Sequence, residues 1–279
     1  MNEAFKKFDL SGKTAFFTGG GTGLGYYMAR GLARSGAKVM IAARRESVLR
    51  EAALQLTQES NSNPVLYCTI DLNDRADLAR VAKYANETLG GVDIFVGNAA
   101  QDDPEPVDGI RDETMYRLLQ VNIAANIELF RAFLPKMRAK KWGRVIFSSS
   151  IGSRLSAPDT VTSVYGACKS ALNAFARHAA TEVGHDGITV NSIIIGLYRS
   201  QMFEDALGII AKERGEAPAK AFVESFASMT ALGRFGQPHE LEGVMQLLAS
   251  DAGSYITGSE LTVDGGMSIM MKPNPTGNG

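Results

Sequence analysis

Three side-chain types within 26 residues could together move a proton. The segment Arg144–Lys169 reads RVIFSSSIGSRLSAPDTVTSVYGACK, with hydroxyls at Ser148, Ser149 and Ser150 and, further on, Tyr165 and Lys169. Tyr165 and Lys169 are four apart, so on a helix they share one face about one turn from each other. A phenol titrates near 10 in isolation, poorly matched to neutral pH. A nearby ammonium favours the phenolate and is expected to bring that value down, which would let the phenol give or take a proton at a carbonyl or alcohol oxygen. By itself a Tyr-x-x-x-Lys pair is a weak motif. Its meaning depends on whether the rest of the chain supplies a cofactor.

The elements that must position these groups alternate along the chain. Short β-branched runs are predicted as strands at Thr14–Thr18, Lys38–Ala42, Val65–Ile70, Val92–Val96, Arg144–Phe147, Thr189–Ile194 and Glu260–Val263. The apolar spacing between them predicts helices near Leu24–Ser35, Glu46–Ser60, Arg75–Leu89, Asn122–Lys140, Tyr165–Val183 and His239–Ala249. Such alternation calls for crossover units and a parallel sheet covered on both faces, an α/β fold. No composition break interrupts the series, so one domain over residues 1–271 is expected, with Lys272–Gly279 as a disordered Pro/Gly tail. The strandless stretch 201–229 is expected to be helical. Its apolar residues, Met202, Phe203, Phe222 and Phe226 among them, suit either core packing or a mobile cover over an apolar substrate.

The bulk numbers exclude several classes. Hydrophobic content of 45% and a net charge of −1 over 279 residues, without a basic block, give no footing for nucleic acid or an anionic membrane. No apolar run approaches the roughly 20 residues that span a bilayer. Cys68 and Cys168 are too few for a disulfide framework, and the start MNEAFKKFDLSGK lacks an apolar leader core, so a cytoplasmic location is expected. His178, His185 and His239 show no ligand spacing, and no metal is expected; Asp102, Asp103, Glu105 and Asp108 read as a solvated acidic loop.

The cofactor signal follows the first strand. TGGGTGLG at 18–25 places Gly19, Gly23 and Gly25, with Gly21, Thr22 and Leu24 between them, where a turn opens a helix. Glycines permit the tight turn and close backbone approach, and a helix N-terminus attracts a pyrophosphate. At the end of the second strand, Ala43 stands where a carboxylate would take a ribose 2′-hydroxyl, and Arg44 and Arg45 follow. A guanidinium pairs with a 2′-phosphate, so NADP(H) is favoured over NAD(H). Asp71 and Leu72 after the third strand could reach the adenine edge, although a helix N-terminal role for the acid fits equally. Asn98, Ala99 and Ala100 after the fourth strand allow close approach of a cofactor, or form a tight turn.

These patterns resemble, in order and over almost the whole chain, the short-chain dehydrogenase/reductase family. They are TGGGTGLG, Asp71-Leu72, GNAA at 97–100, Val121-Asn122, Ser150, Tyr165-x-x-x-Lys169, Val190-Asn191-Ser192-Ile193, ALGRFGQPHEL at 231–241 and YITGSELTVDGG at 255–266. The resemblance implies a Rossmann-like doubly wound sheet of seven parallel strands, a helical substrate lid near 201–229, and a homodimer or homotetramer. It also implies Tyr165 as general acid/base, Ser150 as the hydrogen-bond partner of the substrate oxygen, Lys169 on the nicotinamide ribose, and Asn122 anchoring a water relay to Lys169. Ile195 and Gly196 replace the family's Pro-Gly, and Ser200 replaces a carboxamide-binding threonine. Ser150 and Tyr165 stand fifteen apart where the family usually has thirteen, so strand alignment selects Ser150, with Ser149 as the alternative. Leu155, Tyr198, Met202 and Phe203, with Ser150, are the expected substrate pocket, and Met267, Met270 and Met271 are expected beside it or at a subunit contact. The expected activity is hydride transfer between NADP(H) and a ketone or secondary alcohol of largely apolar character. Reduction of 3-ketoacyl or enoyl thioesters and a non-catalytic NADP(H) sensor are the alternatives. Asp186 weighs against an acyl-carrier substrate, because such enzymes resemble one another in a basic docking residue there.

Overall fold

The structure, a computed structural model, describes residues 3–60, 63–156, 161–199 and 201–270. Ser200, Met271, the tail 272–279 and part of the loop before Tyr165 (157–160) lie outside the described residues, as does the side chain of Met202.

Seven strands form one parallel sheet: β1 (Thr14–Thr18), β2 (Lys38–Ala43), β3 (Leu66–Thr69), β4 (Ile94–Gly97), β5 (Gly143–Ser150), β6 (Ile188–Ile195) and β7 (Glu260–Val263). Their order is β3-β2-β1-β4-β5-β6-β7, all parallel. The order reverses between β1 and β4, so the loops leaving these two strands diverge and open a crevice at their C-terminal ends. The serines do not end the fifth strand as the sequence reading had it. β5 runs through Ser150 because Ser148, Ser149 and Ser150 pair with Ile193, Ile194 and Ile195 of β6.

Because strand side chains alternate, consecutive phenylalanines enter opposite cores. Phe16 packs below the sheet with Phe95, Phe133 and Phe147, in ring contacts of 5.2 to 6.5 Å. This core is covered by α4 (Arg75–Leu89), α6 (Ala125–Lys140) and α7 (Ser163–Val183). Phe17 packs above with Ile41, Ile94, Val96 and Ile146, under α2 (Gly23–Arg34), α3 (Glu46–Glu59) and α10 (Glu242–Ala249). A short α1 (Glu3–Lys6) precedes the sheet.

Two features refine the sequence reading. α5 (Asp112–Leu119) precedes α6, and the two are joined by a π-helical turn at Gln120–Ala124 that contains Asn122. The stretch after β6 forms two helices, α8 (Gln201–Arg214) and α9 (Glu216–Ala227), broken at Gly215 with φ of 92°. No helix of the described residues is long and apolar enough to cross a membrane.

Candidate active site

The turn between β1 and α2 is set by two close approaches. Gly19 has φ of 75°, and a Cβ there would lie 2.8 Å from Asn98 Nδ2; a Cβ at Gly25 would lie 2.1 Å from the Gly19 carbonyl oxygen. Asn98 ties this turn to the end of β4: its Nδ2 donates to the carbonyls of Thr18 (3.1 Å) and Gly19 (3.2 Å). Thr18 Oγ1 accepts the N–H groups of Asn98 and Ala99 in return. Asn98 is therefore a strut as well as a wall. At the start of α2, Thr22 forms no side-chain cap and the first turn carries no acid, so no side chain of that turn neutralises the positive end of the helix.

At the ends of β2, β3 and β4, a cavity of about 100 Å³ is lined by Ala43, Arg44, Ile70, Asp71, Leu72, Ala99, Ala100, Gln101 and Val121. Arg44 and Arg45 are exposed and pair with no carboxylate among the described residues, because Glu46 pairs with Arg50. One Asp71 oxygen accepts the Asn73 N–H, so the acid also shapes its own turn.

The main cleft, about 490 Å³, joins Leu24, Asn98 and Ala100 to Ser148, Ser149, Ser150, Tyr165 and Lys169. Its far wall is Ile195, Gly196, Leu197 and Tyr198, with Phe203, Phe226 and Phe235 as an aromatic cover. The cover coheres through ring contacts: Phe203 to Phe235 at 4.3 Å, and Phe222 to Phe226 at 4.6 Å. Leu197 belongs to no motif, and Phe235 sits within ALGRFGQPHEL without a site role being read for it; the fold brings both here. Leu155 is corrected: it is exposed after the turn Ile151–Ser153 and does not line the cleft. Met267 and Met270 do not line it either.

Of the serines, Ser150 lies against Tyr165. Its Oγ accepts the Gly152 N–H at 3.1 Å, and its hydrogen bond opposes the rise in the Tyr165 pKa. Ser149 is directed instead to the Lys169 carbonyl, at 3.5 Å. Lys169 is almost wholly buried; its Nζ donates to the Ser148 carbonyl at 2.8 Å and stands 5.5 Å from the Tyr165 ring.

The electrostatics differ from the expectation that lysine dominates the phenol. Burial is the largest influence on Tyr165 and pushes it above its ordinary value; Ser150 opposes, and Asp102 and Cys168 add to the rise. Burial also pushes Lys169 down to about 8, partly offset by Cys168. The reason is desolvation, which disfavours whichever form is charged.

Asn122 is buried in the π-turn, and its amide is bonded elsewhere than to Lys169. Oδ1 accepts the Gln101 N–H (3.2 Å), while Nδ2 donates to the carbonyls of Gln101 (2.8 Å) and Leu118 (2.9 Å). What the side chain visibly does is hold the loop after β4 in place.

The residues fit a dinucleotide. Alongside the close-packed glycine turn and the unpaired arginines, the buried Ser148 hydroxyl in the cleft has no partner among the described residues. Buried polar groups are rarely left unpaired.

A doubly wound parallel sheet with a glycine turn at its switch point and a Ser/Tyr/Lys cleft beside it defines a nucleotide-dependent oxidoreductase. A family profile described as Enoyl-(Acyl carrier protein) reductase matches residues 19–268. The chain belongs to the short-chain dehydrogenase/reductase family and is an NAD(P)-dependent oxidoreductase. It is 33% identical to an oxidoreductase of Sarocladium schorii, over 92% of this chain and 96% of that one. It is 30% identical to galactitol 2-dehydrogenase of Agrobacterium fabrum, over 92% and 98%. The crystal structure of L-sorbose reductase from Gluconobacter frateurii, complexed with NADPH and L-sorbose, superposes with a TM-score of 0.89 at 30% identity, covering 95% of this chain and all of that one.

Proposed function

We propose that the protein interconverts a ketone and a secondary alcohol on a substrate with a substantial apolar face, using NADP(H) in preference to NAD(H). The observation that carries this reading is the single cleft holding Ser150, Tyr165 and Lys169 between the glycine turn and an aromatic cover. The NADPH named in the sorbose reductase complex supports the cofactor class, and the unpaired Arg44 and Arg45 support the 2′-phosphate.

In this reading the turn Gly19, Gly21, Thr22, Gly23, Leu24 and Gly25 holds the pyrophosphate and Arg44 with Arg45 the ribose phosphate. Asp71 and Leu72 flank the adenine, and Asn98, Ala99 and Ala100 the adjoining ribose. Tyr165 and Lys169 hold the nicotinamide ribose, with Ile195, Gly196 and Ser200 at the carboxamide. When bound, the nicotinamide supplies or accepts the hydride. Tyr165 does the proton chemistry. Its raised pKa keeps the phenol protonated at neutral pH, ready to donate to the carbonyl oxygen in reduction. Ser150 hydrogen-bonds the same oxygen, and the Lys169 ammonium stabilises the phenolate left behind.

A panel of ketones and alcohols assayed with NADPH, NADH, NADP+ and NAD+ tests this, beside Tyr165→Phe. Loss of the phenol should slow turnover by about 10²- to 10⁴-fold, the usual worth of a positioned general acid. Turnover unchanged in that variant would refute the proton path. The description of the matching family profile favours a second reading, reduction of acyl thioesters, so an acetoacetyl and a crotonyl thioester belong in the panel. Against it, Asp186 binds Arg138 (2.9 Å) and Lys141 (2.7 Å), occupying the cations that an acidic carrier would need.

A further inference from the structure

Just before Ser150, the strand β5 holds a hydroxyl with nothing to bond. Ser148 is 4% exposed, and its Oγ has no hydrogen-bond partner among the described residues. The two serines after it are matched. Ser149 Oγ donates to the Lys169 carbonyl at 3.5 Å, and Ser150 Oγ accepts the Gly152 N–H at 3.1 Å. Other buried side-chain atoms without partners, Asn173 Oδ1 and Ser192 Oγ among them, line no part of the main cleft; Ser148 does. An unmade hydrogen bond in the interior costs stability, and alanine would hold the same place in the strand without that cost. The hydroxyl points to a partner that arrives from outside the chain.

The fold decides which part of a ligand would meet it. Ile146 belongs to the core above the sheet, and Ser148 and Ser150 follow at steps of two, so the three share one face of the strand. Ser148 stands roughly 7 Å before Ser150 along β5. β4 pairs with β5 only as far as Gly97 and Phe147, while β6 continues beside it to Ser150 and Ile195. Ser148 is thus the first residue of β5 beyond the end of β4, on the floor of the crevice. Leu24 and Asn98, beside the glycine turn, wall the cleft on one side, and Ser150, Tyr165 and Ile195 on the other. A dinucleotide with its pyrophosphate at the turn and its reacting end at Tyr165 has its nicotinamide ribose and ring between those walls.

We propose that Ser148 is a cofactor-positioning residue whose hydroxyl hydrogen-bonds the nicotinamide half of the dinucleotide. That half offers ribose hydroxyls and a ring carboxamide, and a serine hydroxyl can give or accept a bond with either. The carbonyl of the same residue holds Lys169 Nζ at 2.8 Å, so one position of β5 fixes both the lysine and the cofactor. This inference rests on the nicotinamide reading of the cleft. It does not depend on the choice between NADP(H) and NAD(H), which share that half.

The test is calorimetric titration of wild type, Ser148→Ala and Ser148→Thr, beside thermal unfolding of the free proteins. The ligands are NADPH, ADP-ribose 2′-phosphate, which keeps the second ribose without the ring, and adenosine 2′,5′-bisphosphate, which lacks both. Ser148→Ala should weaken NADPH binding about twofold to tenfold, the usual worth of a neutral hydrogen bond. It should leave the adenosine bisphosphate unchanged and the melting temperature of the free protein equal or a few degrees higher. Ser148→Thr, which keeps the hydroxyl, should retain at least part of the NADPH affinity. A loss shared by ADP-ribose 2′-phosphate assigns the bond to the ribose, and a loss confined to NADPH assigns it to the ring. NADPH affinity unchanged in Ser148→Ala, or a loss that extends to the adenosine bisphosphate, overturns the role of Ser148 while the cofactor reading stands. Should wild type take NADH in place of NADPH, the same comparison runs with NADH, ADP-ribose and AMP. A wild type that binds neither dinucleotide removes the cofactor reading and this one with it.

Discussion

Lys169 is an ammonium with almost no water around it, held by one carbonyl. At about 5 Å and an effective dielectric near 20, a unit charge is worth roughly 3 kcal/mol to a phenolate, about a hundredfold in rate. Its proton is lost near pH 8. Reductive kcat/KM should therefore stay level below about pH 8 and fall above it. Lys169→Arg should move that limb to higher pH, and Lys169→Met should give a flat profile about 10²-fold lower. pH–rate profiles of the three proteins check this; a limb near pH 8 that persists in Lys169→Met would assign it to another group. The stability consequence has the opposite slope. Because the folded value lies below the ordinary 10.5, the unfolded chain holds more protons between about 8 and 10.5, and this residue makes folding more favourable as pH rises through that window.

At the scale of elements, the β1–α2 turn separates glycines that the fold requires from one that it tolerates. A Cβ at Gly25 meets the Gly19 carbonyl oxygen at 2.1 Å, backbone that cannot step aside, whereas at Gly21 the nearest atom is a Leu49 methyl at 3.4 Å. Gly25→Ala should destabilise the protein by about 2 kcal/mol through overpacking, and Gly21→Ala by less than about 0.5 kcal/mol. Urea unfolding of both variants measures the contrast. The turn was legible because its signal is local: a strand, three spaced glycines and a helix within twenty residues. The Tyr165/Lys169 pair was legible for the same reason. What escaped depends on contacts between distant segments. DETMYRLL at 112–119 spans only eight residues, about two turns, and so escaped as a separate helix, and the π-turn after it has no sequence mark. Asn122 was identified as a site residue, but its partner Gln101 lies 21 positions away. The end of β5 was misplaced because serines read as strand breakers until β6 supplies their ladder. Leu155 was apolar beside the motif, and its exposure is set by a turn that spacing does not encode.

On the scale of the whole molecule, the crevice divides the sheet into β3-β2-β1 and β4-β5-β6-β7. Polar ties cross it at the site from Asn98 to Thr18 and Gly19, and from Thr18 to Val96 and Ala99. Farther out, Arg30 of α2 bonds Glu59 of α3 (3.0 Å) and Glu242 of α10 (2.5 Å), joining the helices above the two parts. A dinucleotide held by Arg44 at one end and by Tyr165 and Lys169 at the other would span the division, so its binding should be read in the unfolding of the chain as a unit. At a concentration about 100 times its Kd, NADPH should add about 2.7 kcal/mol to the unfolding free energy. NADH at the same concentration should add less, since Arg44 and Arg45 would have no phosphate to meet. Arg44→Ala should narrow the difference between the two cofactors without lowering the melting temperature of the free protein, because this exposed side chain has no ion-pair partner among the described residues to lose. Thermal unfolding of wild type and variant with each cofactor decides the point. An NADH shift equal to that of NADPH in wild type would move the cofactor preference away from the arginines.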